Sequence, residues 1–181
     1  PASQAEGVRD PITMTLTGTP GGSERVRLLT LTDDRATFWN TFDFVAKGTI
    51  TLPTFSSPGG AAVLQVEVCT GGTFDATAIA ATPAADCAAR GGTWTGAGTW
   101  LTQAQLTAGS FLPAGVTAAQ VEGIRLTVKR SDDAQWENPQ APVITIPMQV
   151  QRRENLRSGG AVPSDYAEQT PAPGETAKGT T

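Results

Sequence analysis

The sequence predicts an all-β protein, an antiparallel β-sandwich, and three observations carry that reading. Short stretches alternate apolar and polar residues with a period of two, Gly, Pro, Asn and Asp turn signals divide them, and helical periodicity is scarce. The polar half of the alternation comes from Thr more than from charge: 27 Thr stand against 3 Lys and no His. Thr is β-branched, so it favours extended backbone and covers a solvent-facing strand position without a charge.

The first strand is expected where Ile12, Met14 and Leu16 alternate with Thr13, Thr15 and Thr17, closed by the turn Gly18-Thr19-Pro20-Gly21-Gly22. Residues 25–32 form the second. Its apolar positions change phase between Leu28 and Leu29, which calls for a β-bulge or burial on both faces. An acidic turn, Asp33-Asp34, leads to Phe38-Trp39-Asn40-Thr41-Phe42-Asp43-Phe44, the densest aromatic cluster. Phe38, Asn40, Phe42, Phe44 and Ala46 share one parity, so this reads as strand with Phe42 and Phe44 in the core. Residues 48–52 read as another strand, stopped by Pro53 and the loop Ser56-Ser57-Pro58-Gly59-Gly60.

Next, Ala62, Leu64, Val66 and Val68 alternate with Val63, Gln65, Glu67 and Cys69, which puts Cys69 on the face away from the regular apolar set. Each cysteine precedes a Gly-Gly-Thr-aromatic run, Gly71-Gly72-Thr73-Phe74 after Cys69 and Gly91-Gly92-Thr93-Trp94 after Cys87. The Ala-rich segment 76–85 between them has no strong period. A Cys69–Cys87 disulfide would pin it, contributing roughly 3 kcal/mol in the chain-entropy account; two free buried thiols are the alternative.

Residues 93–101 read as one strand with Trp94 and Trp100 near its ends, and residues 105–112 as a weaker one. Thr117 and Gln120 have the spacing of a capping box, so a single helical turn is expected before Gly123. Ile124, Leu126 and Val128 then alternate inward, and Asp132-Asp133 turns the chain. Asn138-Pro139 and Pro142 precede the last strand, residues 143–151, whose Pro147 lacks a donor and calls for an edge or a bulge. Roughly eight to ten short strands with one short helical turn suit a sandwich of Ig-like or jelly-roll-like type. A closed barrel is the alternative. The expected organisation is a sandwich domain over residues 1–158 and an extended Pro/Gly/Thr-rich C-terminal tail over residues 159–181, a linker or inter-subunit segment.

Composition narrows the function. Charged residues are only 17 %, and the net charge of −4 with a pI near 4.8 argues against nucleic acid or anionic membrane as partners. With no His, the chain holds no Ser-His-Asp or Cys-His arrangement and no ordinary zinc site. A glycosidase-like carboxylate pair stays open, but Asp33, Asp34, Asp132 and Asp133 fall in predicted turns where Asp serves the backbone. No enzyme is expected. The start at Pro1, without Met, and the absence of a signal peptide read as a mature or excised piece of something longer, and loss of a signal peptide by cleavage explains them equally well.

Several runs, in order, carry a resemblance: Arg27-Leu28 with Asp33, residues 38–44, Thr70-Gly71-Gly72-Thr73-Phe74, Leu112-Pro113-Ala114-Gly115-Val116, Val121-Glu122-Gly123-Ile124-Arg125, Trp136-Glu137-Asn138-Pro139 and Val150-Gln151-Arg152-Arg153. From about residue 8 to residue 175 the chain resembles the repeated β-rich modules of large secreted actinobacterial cell-surface proteins. The Cys87 insertion departs from that pattern. The resemblance implies an adhesin-like or stalk-like structural role at the cell surface, without enzymatic activity.

Three groups are candidate sites. Asp33, Asp34, Asp132 and Asp133 are candidates for calcium, because oxygen ligands on sandwich loops suit a hard cation, with plain turns the leading reading. Trp94 and Trp100, beside glycine-rich loops, are candidates for exposed rings that contact a sugar or other ligand. Lys47 beside Asp43 and Asn40 is a weaker candidate for an internal isopeptide bond. The tail is too poor in apolar residues to order itself. It is expected to dock along a neighbouring copy, with Val162 and Tyr166 as anchors. Expected partners are therefore copies of the chain itself, and in the alternative reading glycans or a host surface.

Overall fold

A computed structural model describes residues 9–20, 25–56, 59–136 and 143–162. The turn at Gly21-Gly22, the loop at Ser57-Pro58, Asn138-Pro139, Pro142 and the tail anchor Tyr166 lie outside the described residues. The fold is a mostly β sandwich of two antiparallel sheets, as the alternation predicts. The smaller sheet has the order β1-β9-β3: β1 (Ile12–Gly18), β9 (Ile144–Arg152) and β3 (Phe42–Lys47). The larger runs from β2 (Leu28–Asp33) through β8 (Ile124–Arg130) to β5 (Gly59–Thr70). Three short strands line the far edge of β5: β4 (Thr54–Ser56), β7 (Trp100–Leu101) and β6 (Thr93–Thr95).

The core lies between the sheets and follows the predicted parity. Leu64, Val66 and Val68 of β5 and Ile124, Leu126 and Val128 of β8 meet Leu16 of β1 and Ile144, Ile146, Met148 and Val150 of β9. At roughly 25 cal/mol per Å² of apolar surface, these strands supply most of the driving force for folding.

Helix is more frequent than the single expected turn. Besides the 3-10 turn Ala118–Gln120, the described residues hold three short α-helices: α1 (Ala36–Thr41), α2 (Ala76–Ala81) and α3 (Gln103–Thr107). The 3-10 turn stands where the capping spacing put it, with Gln120 Oε1 accepting from the Thr117 N–H at 2.9 Å. α1 overturns the strand reading of residues 38–41. It puts Trp39 in the core, fully buried, and leaves Phe38 half-buried and stacked on Phe42 at 4.9 Å. Phe44 is core as expected, whereas Phe42 is only half-buried. α3 replaces the weak strand over 105–112, and its N-cap Thr102 closes a capping box with Gln105.

Residues 48–52 are not a strand, although Ile50 and Leu52 are buried. The Gln103 amide serves that backbone instead: Nε2 donates to the Ile50 carbonyl at 3.0 Å and Oε1 accepts from the Leu52 N–H at 2.7 Å. A side-chain amide carries N–H donors and a carbonyl acceptor at the right reach to stand in for a neighbouring strand. The single strand expected over 93–101 is split into β6 and β7 by an excursion at residues 96–99. Gly96 is required there, since a Cβ would sit 2.3 Å from the Val66 carbonyl.

The phase change at Leu28 and Leu29 has another cause than the predicted bulge. The chain bends at Arg27 and changes partner, from a bridge between Val26 and Trp136 to a regular ladder with β8. Leu29 and Leu31 face inward while Leu28 is half exposed. Pro147 lies in the central strand of its sheet, not at an edge. Its carbonyl accepts from the Gly48 N–H, so its missing donor faces the point where β3 has ended. A register shift between Phe44 and Ala46 supplies a bulge on that side.

Candidate functional site

The chemistry-bearing residues gather in a lobe formed by residues 70–92, outside the sandwich. Cys69 and Cys87 are joined in a disulfide, with Cα atoms 6.0 Å apart and both residues fully buried. The bridge lies outside the main apolar cluster, as the parity of Cys69 predicts. The repeated glycine motifs close around it by the same device twice. The first glycine of each pair, Gly71 and Gly91, has positive φ (73° and 72°), which a side chain resists. The second leaves room for a neighbour: a Cβ on Gly92 would lie 2.7 Å from Cys69 Sγ, and one on Gly72 would lie 3.0 Å from Arg90 Nη1.

Polar clasps fix the rest of the lobe. Asp34 Oδ2 accepts from the Cys87 N–H at 2.9 Å. The Ala36 N–H, an orphan donor of the first turn of α1, is satisfied by the Ala85 carbonyl at 2.9 Å, and Thr37 donates to the Pro83 carbonyl. Arg90 is nine-tenths buried, and its Nη2 donates to the carbonyls of Asp34 and Glu122 at 2.9 Å. Its guanidinium lies over the Phe74 ring at 4.5 Å, while Nε and Nη1 have no hydrogen-bond acceptor among the described residues. Burial lowers the Arg90 pKa, with Glu122 and Asp34 opposing the shift. An open cleft of about 310 Å³ lies between α2 and this loop, walled chiefly by Ala78, Ile79, Thr82, Ala85 and Ala89. Its lining is mostly apolar, and α2 buries none of its own side chains.

Arg157 anchors the end of the described chain. Its Nε donates to the Trp39 carbonyl at 2.7 Å, and its Nη2 donates to Asp43 Oδ1 at 2.7 Å and to the Val121 carbonyl at 3.1 Å. Arg153 joins Asp43 at 2.5 Å, and Asn40 exchanges hydrogen bonds with Ser158. Asp43 and Asn40, the partners suggested for Lys47, are thus engaged by the C-terminal segment. Residues 159–162, assigned to the tail, turn back on the domain: Ala161 bridges Asn155, and Arg152 donates to the Val162 carbonyl at 3.3 Å.

The calcium candidates do not converge; among the described residues no group of three or more His, Cys, Asp or Glu is placed to hold a metal. Asp132 takes two bonds from the fully buried Arg130, chiefly for which its pKa falls to about 2. Asp133 pairs with Arg27 and with Lys129 at 3.1 Å, which lowers its pKa as well. Asp33 goes the other way: burial pushes its carboxyl up to about 6.

Trp94 and Trp100 are half-buried on the outer face of the larger sheet, opposite Cys69 and Gln65 of β5. Each carries a cation over its ring from β8, Arg125 at 4.1 Å and Lys129 at 4.3 Å. Trp39 and Trp136 are core. Arg90, Arg157 and Arg130 escaped the sequence reading, since an isolated arginine carries no local pattern; Arg90 alone had a signal, its place inside the second cysteine motif. No helix among the described residues is long and apolar enough to cross a membrane. Compared with protein-family models, curated proteins and solved structures, the chain has no significant match.

Proposed function

We propose that this chain is a structural module of an extracellular surface or fibre protein, joined to neighbouring copies through its C-terminal tail. The observation that carries the reading is the buried Cys69–Cys87 bridge, which belongs to an oxidising compartment and ties an otherwise weakly packed lobe to a central strand. The engagement of Asp34, Asp43, Asp132 and Asp133 by backbone or arginine groups supports a structural use of acids. The resemblance to actinobacterial surface repeats points the same way. Mass measurement without reductant tests the compartment: a loss of two hydrogens is expected, and two titratable thiols per chain would remove the case for secretion. Sedimentation of the full chain across a concentration series tests assembly, and growth in mass is expected.

A second reading, a glycan-binding or other ligand-binding adhesin module, is favoured by Trp94 and Trp100 sharing one outer face. Each ring has a cation over one face, so a stacking sugar would have to use the other. Glycan binding abolished by Trp94→Ala and Trp100→Ala, with thermal stability kept, would move this reading to first place. Catalysis is a distant third.

A further inference from the structure

Sheet edges decide where an extended segment can add, and the four edge regions of this sandwich differ. On β3 the edge is broken by the register shift at Val45 and ends in Lys47. β4 is three residues long, and β6 and β7 are interrupted by the excursion at residues 96–99. Bulges, edge charges and short strands are the usual guards against unwanted pairing. β1 and β2 have none of these along their middles: both are regular, proline-free and uncharged until Asp33.

Which groups are free follows from the ladder. The Ser131 N–H donates to the Ala61 carbonyl, and the Cys69 N–H to the Gly123 carbonyl, so odd-numbered residues of β8 bond toward β5. Even-numbered residues therefore bond toward β2 and engage Leu29, Leu31 and Asp33. The N–H and C=O groups of Leu28, Thr30 and Thr32 point away from the sheet. By the same argument from Pro147 and Gly48, those of Thr13, Thr15 and Thr17 point outward from β1, with no partner among the described residues. β2 has one further feature: Leu28, half exposed on the outer face, is a large apolar side chain standing on a free edge.

We propose that the free edge of β2 receives Ser164–Thr170 of a second copy as an added strand, an inference that rests on the assembly reading above. Pro163 and Pro171 bracket these seven residues, and proline cannot donate to a ladder, so pairing is confined to this window. The window matches a six-residue strand. It holds the chain's one tyrosine, Tyr166, whose ring supplies an apolar partner for Leu28. Departure point and arrival edge are different surfaces that adjoin at the end of β2, where Arg157 donates to the Trp39 carbonyl and Trp39 Nε1 to the Asp33 carbonyl. Arg153, Arg157 and Ser158 fasten the outgoing chain beside Asp43 of β3 and Asn40, whereas β2 lies beside β1, the other edge of the smaller sheet. A donor segment and an acceptor edge that are different surfaces make a heterologous contact that propagates from copy to copy.

The test uses the full chain carrying Thr30→Pro, which removes one outward donor, no backbone bond to β8 and the hydroxyl contact with Thr127 at 3.1 Å, with Thr15→Pro as its counterpart on β1. Sedimentation across a concentration series is expected to show association weakened about tenfold or more by Thr30→Pro and unchanged by Thr15→Pro. Thr30→Lys, which keeps the donor and adds an edge charge, should weaken it too, with an unchanged melting temperature confirming the fold. A synthetic peptide of residues 163–172 should compete with association, and the same peptide with Tyr166→Ala should compete less. Association that survives Thr30→Pro and Thr30→Lys, or is lost with Thr15→Pro alone, overturns the β2 assignment while leaving assembly standing. Association that ignores the peptide but is lost with Thr30→Pro means edge-to-edge pairing of two β2 strands and also overturns it. A full chain that stays monomeric throughout overturns the assembly reading itself.

Discussion

The sandwich core and the disulfide lobe are held by different physics. In the core, β5, β8 and β9 bury a continuous set of apolar side chains between the sheets, with the buried Arg130 and Arg152 at the ends of β8 and β9. In the lobe, α2 buries nothing, and what holds residues 70–92 is one covalent bond, a carboxylate on an N–H, helix-end donors on loop carbonyls and one buried guanidinium. Area-proportional forces make the core robust to any one polar change. The lobe depends on a few discrete contacts, so single substitutions should open it without melting the sandwich.

The sharpest break of the comparison on the core side is Trp39→Ala. The ring is fully buried, and its removal should cost about 3–5 kcal/mol, read as a lowered midpoint in denaturant. Phe44→Ala should fall in the same range of about 3–5 kcal/mol, and Phe42→Ala, half-buried, clearly below it. On the lobe side, Cys69→Ala with Cys87→Ala should cost roughly 3 kcal/mol. Limited proteolysis is expected to cut within residues 76–86 first, while the near-ultraviolet signal of the two core tryptophans persists. Simultaneous loss of both signals would mean that lobe and core are one cooperative unit. Asp34→Ala removes the carboxylate on the Cys87 N–H and should cost about 1–3 kcal/mol, with faster amide exchange confined to the lobe.

The smallest effect concerns pH. The folded pKa of Asp33 lies above its ordinary value, so the folded state holds that proton more tightly than the unfolded chain. Its contribution is complete below about 4 and is lost as pH rises toward about 6. Asp132 and Asp133 have the opposite sign, stabilising above the ordinary carboxylate range and losing that contribution on acidification, through about 2 for Asp132. Melting temperatures of Asp33→Asn measured between pH 4 and 7 should lack the decline that Asp33 imposes on the parent chain. An identical slope in both proteins would show that Asp33 titrates normally.

The sequence by itself determined the class of fold, the inward faces of β5, β8 and β9, the 3-10 turn at Thr117 and the pairing of the two cysteines. These follow from short-range regularities: a period of two fixes which face is buried, a capping spacing fixes a turn, and only two cysteines exist. Tertiary structure alone decided the helix at Ala36–Thr41, because its first donors find acceptors in a loop some 46 residues away along the chain. It also decided that Ile50 and Leu52 dispense with a strand neighbour, since the Gln103 amide arrives from α3 to replace it. Asp34, Asp43, Asp132 and Asp133 became clasps for the same reason. A carboxylate's role is set by which N–H or guanidinium the folded chain brings within hydrogen-bond reach, and no local pattern encodes that partner.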